Sequence, residues 1–454
     1  MDHLRGKALL ASGFHMTQRG KVDALENALI EINENGAIDR VVCREDADYD
    51  RRKADHHAAG TLLTLPLDCY LLPGLVDLHV HAPQYPQLGS ALDVPLEVWL
   101  QQHTFPLEAR YADLDFARRS YRLLVHDLLA NGTTTALYFA TIHPEATRLL
   151  ADLCLEAGQR ALIGKVVMDN PDQCPEFYRD ASPDEAIRGT EELIGYISSH
   201  PANAAQLIKP VITPRFIPSC TDASLEALGA LAQQCGCHVQ THCSESDWEH
   251  GYVLERHGIT DTESLDLFGL LGRRTVLAHA TLITSANMHV IHARQSAVAH
   301  CPYSNAYFSS AVFPLRAALD KGLHVGLGTD ISGGPSGSLF DGMRSAITVA
   351  RMLENGVDPD LAATERSRHR DSRIDFRDAF YCATTGGGIA LDLPVGQFAP
   401  GYQFDAMVID TTSERGTIRL WDDLDRGETI LQKIIYTASK PNIAKVWVAG
   451  RQVA

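Results

Sequence analysis

The chain has 454 residues, 45% hydrophobic and 21% charged, which is ordinary globular usage with enough apolar mass for one large domain plus a second. Its formal charge of −17 opposes the cationic contacts on which nucleic-acid binding depends, and no stretch approaches the roughly 20 apolar residues that span a bilayer. The expected partner is therefore a small neutral molecule, with neither nucleic acid nor membrane. Ten scattered cysteines lack the dense spacing of a disulfide scaffold and read as free thiols of a reducing compartment. Cys235, Cys237 and Cys243 read as packing residues. The apolar run at 8–14 is short and has no convincing cleavage region after it, so a cytoplasmic location is expected.

Residues 1–70 contain short apolar runs such as 62–65, and Pro73-Gly74 marks the entry to a different pattern. From there, β-branched or apolar runs alternate with amphipathic segments, as in βα units around a parallel sheet. Eight runs are counted, at 75–81, 133–140, 161–169, 207–215, 238–244, 275–280, 297–302 and 324–330. They predict an α/β protein with a (β/α)₈ TIM-type barrel over residues 71–389. Between the first two, residues 114–130 carry Phe116, Leu123, Leu124, Val125 and Leu128 on a helical face, and Asn131-Gly132 supplies a stop. The basic run Arg366 to Arg373 reads as a solvated loop. TTGGG at 384–388 lacks the lysine and spacing of a phosphate loop and reads as a helix-start turn. Further short runs lie at 406–409 and 445–448. Neither end alone has enough strands for a stable sheet, so residues 1–70 and 390–454 are expected to combine into one small β-sandwich domain.

The densest chemical signal is PGLVDLHVHAPQ at 73–84. Alternate strand residues share a face, so His79 and His81 can hold one metal from the end of the first run. His242 ends the fifth run, His279 the sixth and Asp330 the eighth. In such a barrel these ends converge on one mouth. His79, His81, His242 and Asp330 offer three nitrogens and one oxygen, a set suited to a single zinc ion with room for water, or to iron. A bound divalent cation lowers the pKa of its water to about 7 and makes a nucleophile available. Glu245, three residues after His242, is placed to shuttle protons, with helix capping as its structural alternative. Asp330 is assigned water activation as well as ligation.

These residues resemble the amidohydrolase superfamily over essentially the whole chain. The resemblance implies a hydrolase with one metal on His79, His81, His242 and Asp330, with His279 contacting the hydrolytic water or substrate. Dinuclear members use a lysine at the end of the fourth strand; here Lys209 lies early in that run, whose end reads TPRF. Five stretches are similar to the guanine-deaminating branch: HAPQY at 81–85, TFPLE at 104–108, TTTALYFATIH at 133–143, GQRALIGKVVMDN at 158–170 and TPRF at 213–216. That likeness implies guanine as substrate, xanthine and ammonia as products, and a homodimer. It further implies purine contacts from Gln84, Arg215, Phe216 and His242, with proton relay by Glu245. Arg215 offers donors only, which suits a carbonyl and opposes an exocyclic amine. The competing expectations are hydrolysis of another heterocycle, such as 8-oxoguanine, a pterin or a triazine, and non-catalytic purine or metal binding. Glu245 opposes the latter, because a structural metal site needs no proton shuttle.

Overall fold

The computed structural model describes residues 3–367 and 369–454, so Arg368 of the basic run lies outside the described residues. Eight parallel strands stand side by side in chain order: Leu75–His81, Thr133–Phe139, Arg160–Gly164, Ile208–Pro214, His238–Cys243, Thr275–His279, Ala297–His300 and His324–Leu327. The short strand Val166–Val167 continues the third beside Ile208–Pro214. The first three strands and the fifth to seventh are buried at every position, which is why their sequences run apolar instead of alternating. The expected barrel is the one observed.

Its last seam is closed differently from the others. Asp330 N donates to His79 O (2.9 Å) and His81 N donates to Ile331 O (3.0 Å). Below them the buried Asp77 carboxylate accepts from Thr329 N (3.0 Å) and Thr329 Oγ1 (2.6 Å). A side chain thus completes the ring between the first and eighth strands. At the opposite end the helix Thr385–Ala390 plugs the barrel, with Ala390 and Leu391 clustered on Val76, Leu78 and Leu137. Gly387 lets that plug seat, since a Cβ there would stand 2.7 Å from Val76 Cβ. TTGGG is therefore a helix start, as its composition suggests.

Two elements differ from their expected form. The third strand breaks at Lys165, whose buried ammonium pairs with Asp180 (2.6 Å), because a charge in the wall must find its counter-ion. The eighth strand ends at Leu327, three residues before Asp330. The helix Leu114–Ala130 has the expected bounds, capped by Asp113 accepting from Asp115 N (2.9 Å) and stopped at Asn131. Its buried face is Tyr121, Leu124, Val125 and Leu128, whereas Leu123 lies opposite and is 56% exposed.

The two termini meet in one mixed eight-stranded sheet, ordered Arg451–Gln452, Ile443–Val448, Ala406–Asp410, Cys69–Pro73, Lys7–Gln18, Lys21–Ile32, Ile38–Val42, with Leu62–Thr64 also beside Lys7–Gln18. The buried pair Arg160–Asp405 (2.8 Å) fastens this sheet to the barrel. The helix Glu428–Thr437 leaves the sheet to bury Leu431, Ile434 and Ile435 in the main core. Among the described residues no helix is long and apolar enough to cross a membrane.

Candidate metal centre and substrate pocket

The strand ends bring His79, His81, His242, His279 and Asp330 together, all buried. The backbone turns sharply where it delivers them: His279 (φ 67°), Asp330 (φ 50°) and Ser244 (φ 50°) are all in the left-handed region. Such non-glycine positions cost on the order of 1–3 kcal/mol each and persist only when the surroundings impose them.

His81 Nε2 and His242 Nε2 are 3.0 Å apart, and Asp330 Oδ1 lies 3.2 Å from His79 Nε2 and 3.6 Å from His81 Nε2. His242 Nδ1 is 2.6 Å from Arg215 O and must donate to it, which leaves the His242 Nε2 lone pair facing His81. Burial, reinforced by the neighbouring imidazoles, holds both His81 and His242 well below the usual histidine range, so both are neutral. Burial works against the Asp330 charge, but the His79 ring beside its Oδ1 holds its carboxyl well below the usual range. Among the described residues, both ring nitrogens of His79 and Nδ1 of His81 are buried without a hydrogen-bond partner. Converging lone pairs and an ionised carboxylate form a stable set only around a cation. The donors therefore fit a metal ion: one ligand atom each from His79, His81 and Asp330 lie within 4.8 Å of one another, as do those from His79, His242 and His279 and from Glu245, His279 and Asp330.

Glu245 stands beside this cluster, its Oε1 3.6 Å from His279 Nε2. It caps no helix: Ser246 does, accepting from Glu249 N at 3.2 Å. Nor does Asp330, since the helix Leu339–Asn355 starts after Ser338. The Glu245 backbone is pinned instead, with its N–H on Glu249 Oε2 (2.6 Å) and its carbonyl accepting from the Ser309 hydroxyl. Burial and then the Asp330 charge push its carboxyl up to about 8, close to working pH, where a proton-transfer group is most effective. His279 Nδ1 meets Asn305 Oδ1 (3.0 Å), while Nε2 lies 3.9 Å from Asp330 Oδ2 and otherwise lacks a hydrogen bond.

A pocket opens over the cluster, lined by His81, Gln84, Arg215, Phe216, His242, Glu245 and Asp330. Its apolar walls are Leu96, Trp99, Leu100 and Phe308. Arg215 also forms the ion pair that a buried guanidinium requires. Its Nη1 and Nη2 reach Glu108 Oε2 (2.7 Å) and Oε1 (3.1 Å), and the guanidinium lies over Phe105 at 4.9 Å. Gln84 donates from Nε2 to Glu108 Oε1 (2.9 Å) and accepts at Oε1 from Ser332 N (3.1 Å). Glu108, Trp99, Phe308 and Asn305 escaped the sequence-based assignment. Only Glu108 left a trace, because a buried arginine calls for a carboxylate and TFPLE contains one.

The chain matches the amidohydrolase family over residues 70–453 and belongs to it. Its relatives within that family narrow the comparison. The probable guanine deaminase of Schizosaccharomyces pombe is 38% identical over 85% of this chain and 71% of its own length. The guanine deaminase of Homo sapiens is 35% identical over 97% of this chain and 94% of its own. A crystal structure of guanine deaminase from C. acetobutylicum, with guanine bound in its active site, superposes with a TM-score of 0.86 at 31% identity, covering 98% of this chain and 99% of that one.

Proposed function

We propose that this chain hydrolyses guanine to xanthine and ammonia at a site holding one zinc ion on His79, His81, His242 and Asp330. The observation that carries the proposal is the convergence of those donors, with unsatisfied imidazole nitrogens, beside a buried Glu245 carboxyl 3.6 Å from His279 Nε2. A cation held there supplies a water of lowered pKa.

The protein's own groups do the remaining work. Gln84 and Arg215 orient the purine, with guanidinium N–H groups toward the O6 carbonyl and C2 toward the attacking water. Phe216 and Trp99 shield the ring from solvent. Glu245, with Asp330 beside it, takes a proton from that water as oxygen adds to C2, then delivers protons through its carboxyl to the ring nitrogen and the departing amine. His279, whose Nδ1 donates to Asn305 Oδ1, turns its Nε2 lone pair to a proton of the attacking water and helps position it. Water contributes its oxygen to C2 and its protons to the ring and leaving group, so guanine plus water balances as xanthine plus ammonia.

We take the enzyme to be a cytoplasmic homodimer, its small β domain drawn from residues 1–70 and 390–454 around the barrel of 71–389. The ten unpaired cysteines accord with a reducing compartment. The deciding assay measures ammonia release and ultraviolet conversion of guanine by zinc-loaded or iron-loaded protein, beside adenine, 8-oxoguanine and cytosine, with a chelated control. Metal-dependent xanthine formation selective for guanine is expected. Bound metal with guanine untouched and another heterocycle converted would overturn the substrate assignment.

A further inference from the structure

The substrate-facing side of the cavity hangs on one carboxylate. Glu108 is fully buried on the short helix Phe105–Ala109, and its two oxygens accept both terminal nitrogens of Arg215 and the amide of Gln84. With Ser332 N on the other end of the Gln84 amide, this fixes which way that amide points. The other titratable groups close to Glu108 are Tyr178, Tyr111, Tyr121 and His143. Burial raises the phenols and lowers the imidazole, so all four are neutral near pH 7 and Arg215 is left as its counter-charge.

We propose that Glu108 is a positioning and specificity-determining residue: it aims Arg215 and Gln84 at a neutral oxopurine and, by cancelling the Arg215 charge, denies the pocket to a purine anion. A lone buried guanidinium would attract any anion of suitable shape, whereas a bidentate Arg–Glu pair presents directed N–H donors with no net charge. The consequence reaches product release. Xanthine loses a ring proton more readily than guanine, so the neutralised Arg215, with the carboxylates of Glu245 and Asp330 on the same pocket wall, offers no unpaired protein cation to hold product as that proton leaves. This inference rests on the guanine assignment for the substrate but makes a separate claim about charge.

The test compares the zinc-loaded wild type with Glu108→Gln and Glu108→Asp, reading KM and kcat for guanine together with equilibrium binding of xanthine from mildly acidic to mildly alkaline pH. In the wild type, xanthine binding is expected to weaken as pH rises. In Glu108→Gln the Arg215 charge is exposed, so xanthine binding should hold or tighten over the same range. Its guanine KM should rise about tenfold, the worth of one charged hydrogen bond, with kcat changing less. Glu108→Asp keeps the charge but shortens the reach; it should restore the wild-type pH profile for xanthine while leaving KM raised. A merely structural glutamate would move KM, kcat and thermal stability together and leave the xanthine profiles parallel, which would overturn the proposal, as would identical behaviour of the two variants. If Glu108→Gln fails to fold, the wild-type profile decides: xanthine binding that holds or tightens as pH rises would overturn the proposal. Because xanthine binding is read without turnover, a wild type inactive on guanine would sink the substrate assignment and still leave the charge claim tested.

Discussion

The fifth barrel strand carries a buried histidine at each end, and the two behave in opposite ways. Burial lowers His238 to about 4 and His242 well below the usual range, so both are neutral. At the base, His238 Nε2 donates to Leu391 O (2.7 Å) on the plug, and Arg273 beside it donates to Ile389 O (2.7 Å). At the mouth, His242 Nε2 faces another imidazole nitrogen at 3.0 Å, among ring nitrogens that lack any hydrogen-bond partner. Depth and pKa are similar, so neither marks a site. What distinguishes the mouth is that its polar atoms converge on each other without satisfying each other, and a fold tolerates that only where something else completes the set.

Substitutions at the mouth should abolish chemistry and spare the fold, and those at the base should do the reverse. The largest effect is expected for Asp330→Asn, which removes a ligand and a proton-handling group at once: metal content should fall below one per chain and turnover by at least about 10⁴-fold, the upper end of acid–base contributions. Metal analysis alongside ammonia release checks both. Glu245→Gln should keep its metal and lose about 10²–10⁴-fold in kcat; a variant with near-normal turnover would remove Glu245 from the mechanism.

At the base, His238 gives a prediction with a sign. Its folded pKa of about 4 lies below the ordinary 6.5, so the unfolded chain binds the proton first as pH falls. Stability is then lost between about pH 6.5 and 4, by about 3 kcal/mol, and levels off below. Denaturant titrations at several pH values should show His238→Gln less steep over that window by about this amount, with guanine turnover per folded molecule unchanged. The smallest effect is expected for Gly387→Ala, whose added Cβ meets Val76 and should cost about 1–3 kcal/mol of stability with no change in KM. A raised KM there would mean that the plug communicates with the mouth and would blur the contrast.

Much of this was legible along the chain. His79 and His81 are two apart on a seven-residue buried strand, and the period of a strand alone puts them on one face. The helix Leu114–Ala130 starts and stops where its cap and its Asn-Gly say it should. The long hairpin of Lys7–Gln18 and Lys21–Ile32 was harder to see, because its first strand is buried on both faces and shows no alternation.

The sequence by itself determined the order of βα units, the ends of most strands and the placement of imidazoles at those ends, since each depends on periodicity and turn chemistry within a few residues. Only the tertiary structure decided that Asp330, past the end of its strand, reaches His79 across the closing seam, and that Glu108 meets an arginine 107 residues away. Those pairings depend on ring closure and on which buried charges must find each other, and neither leaves a local pattern to read.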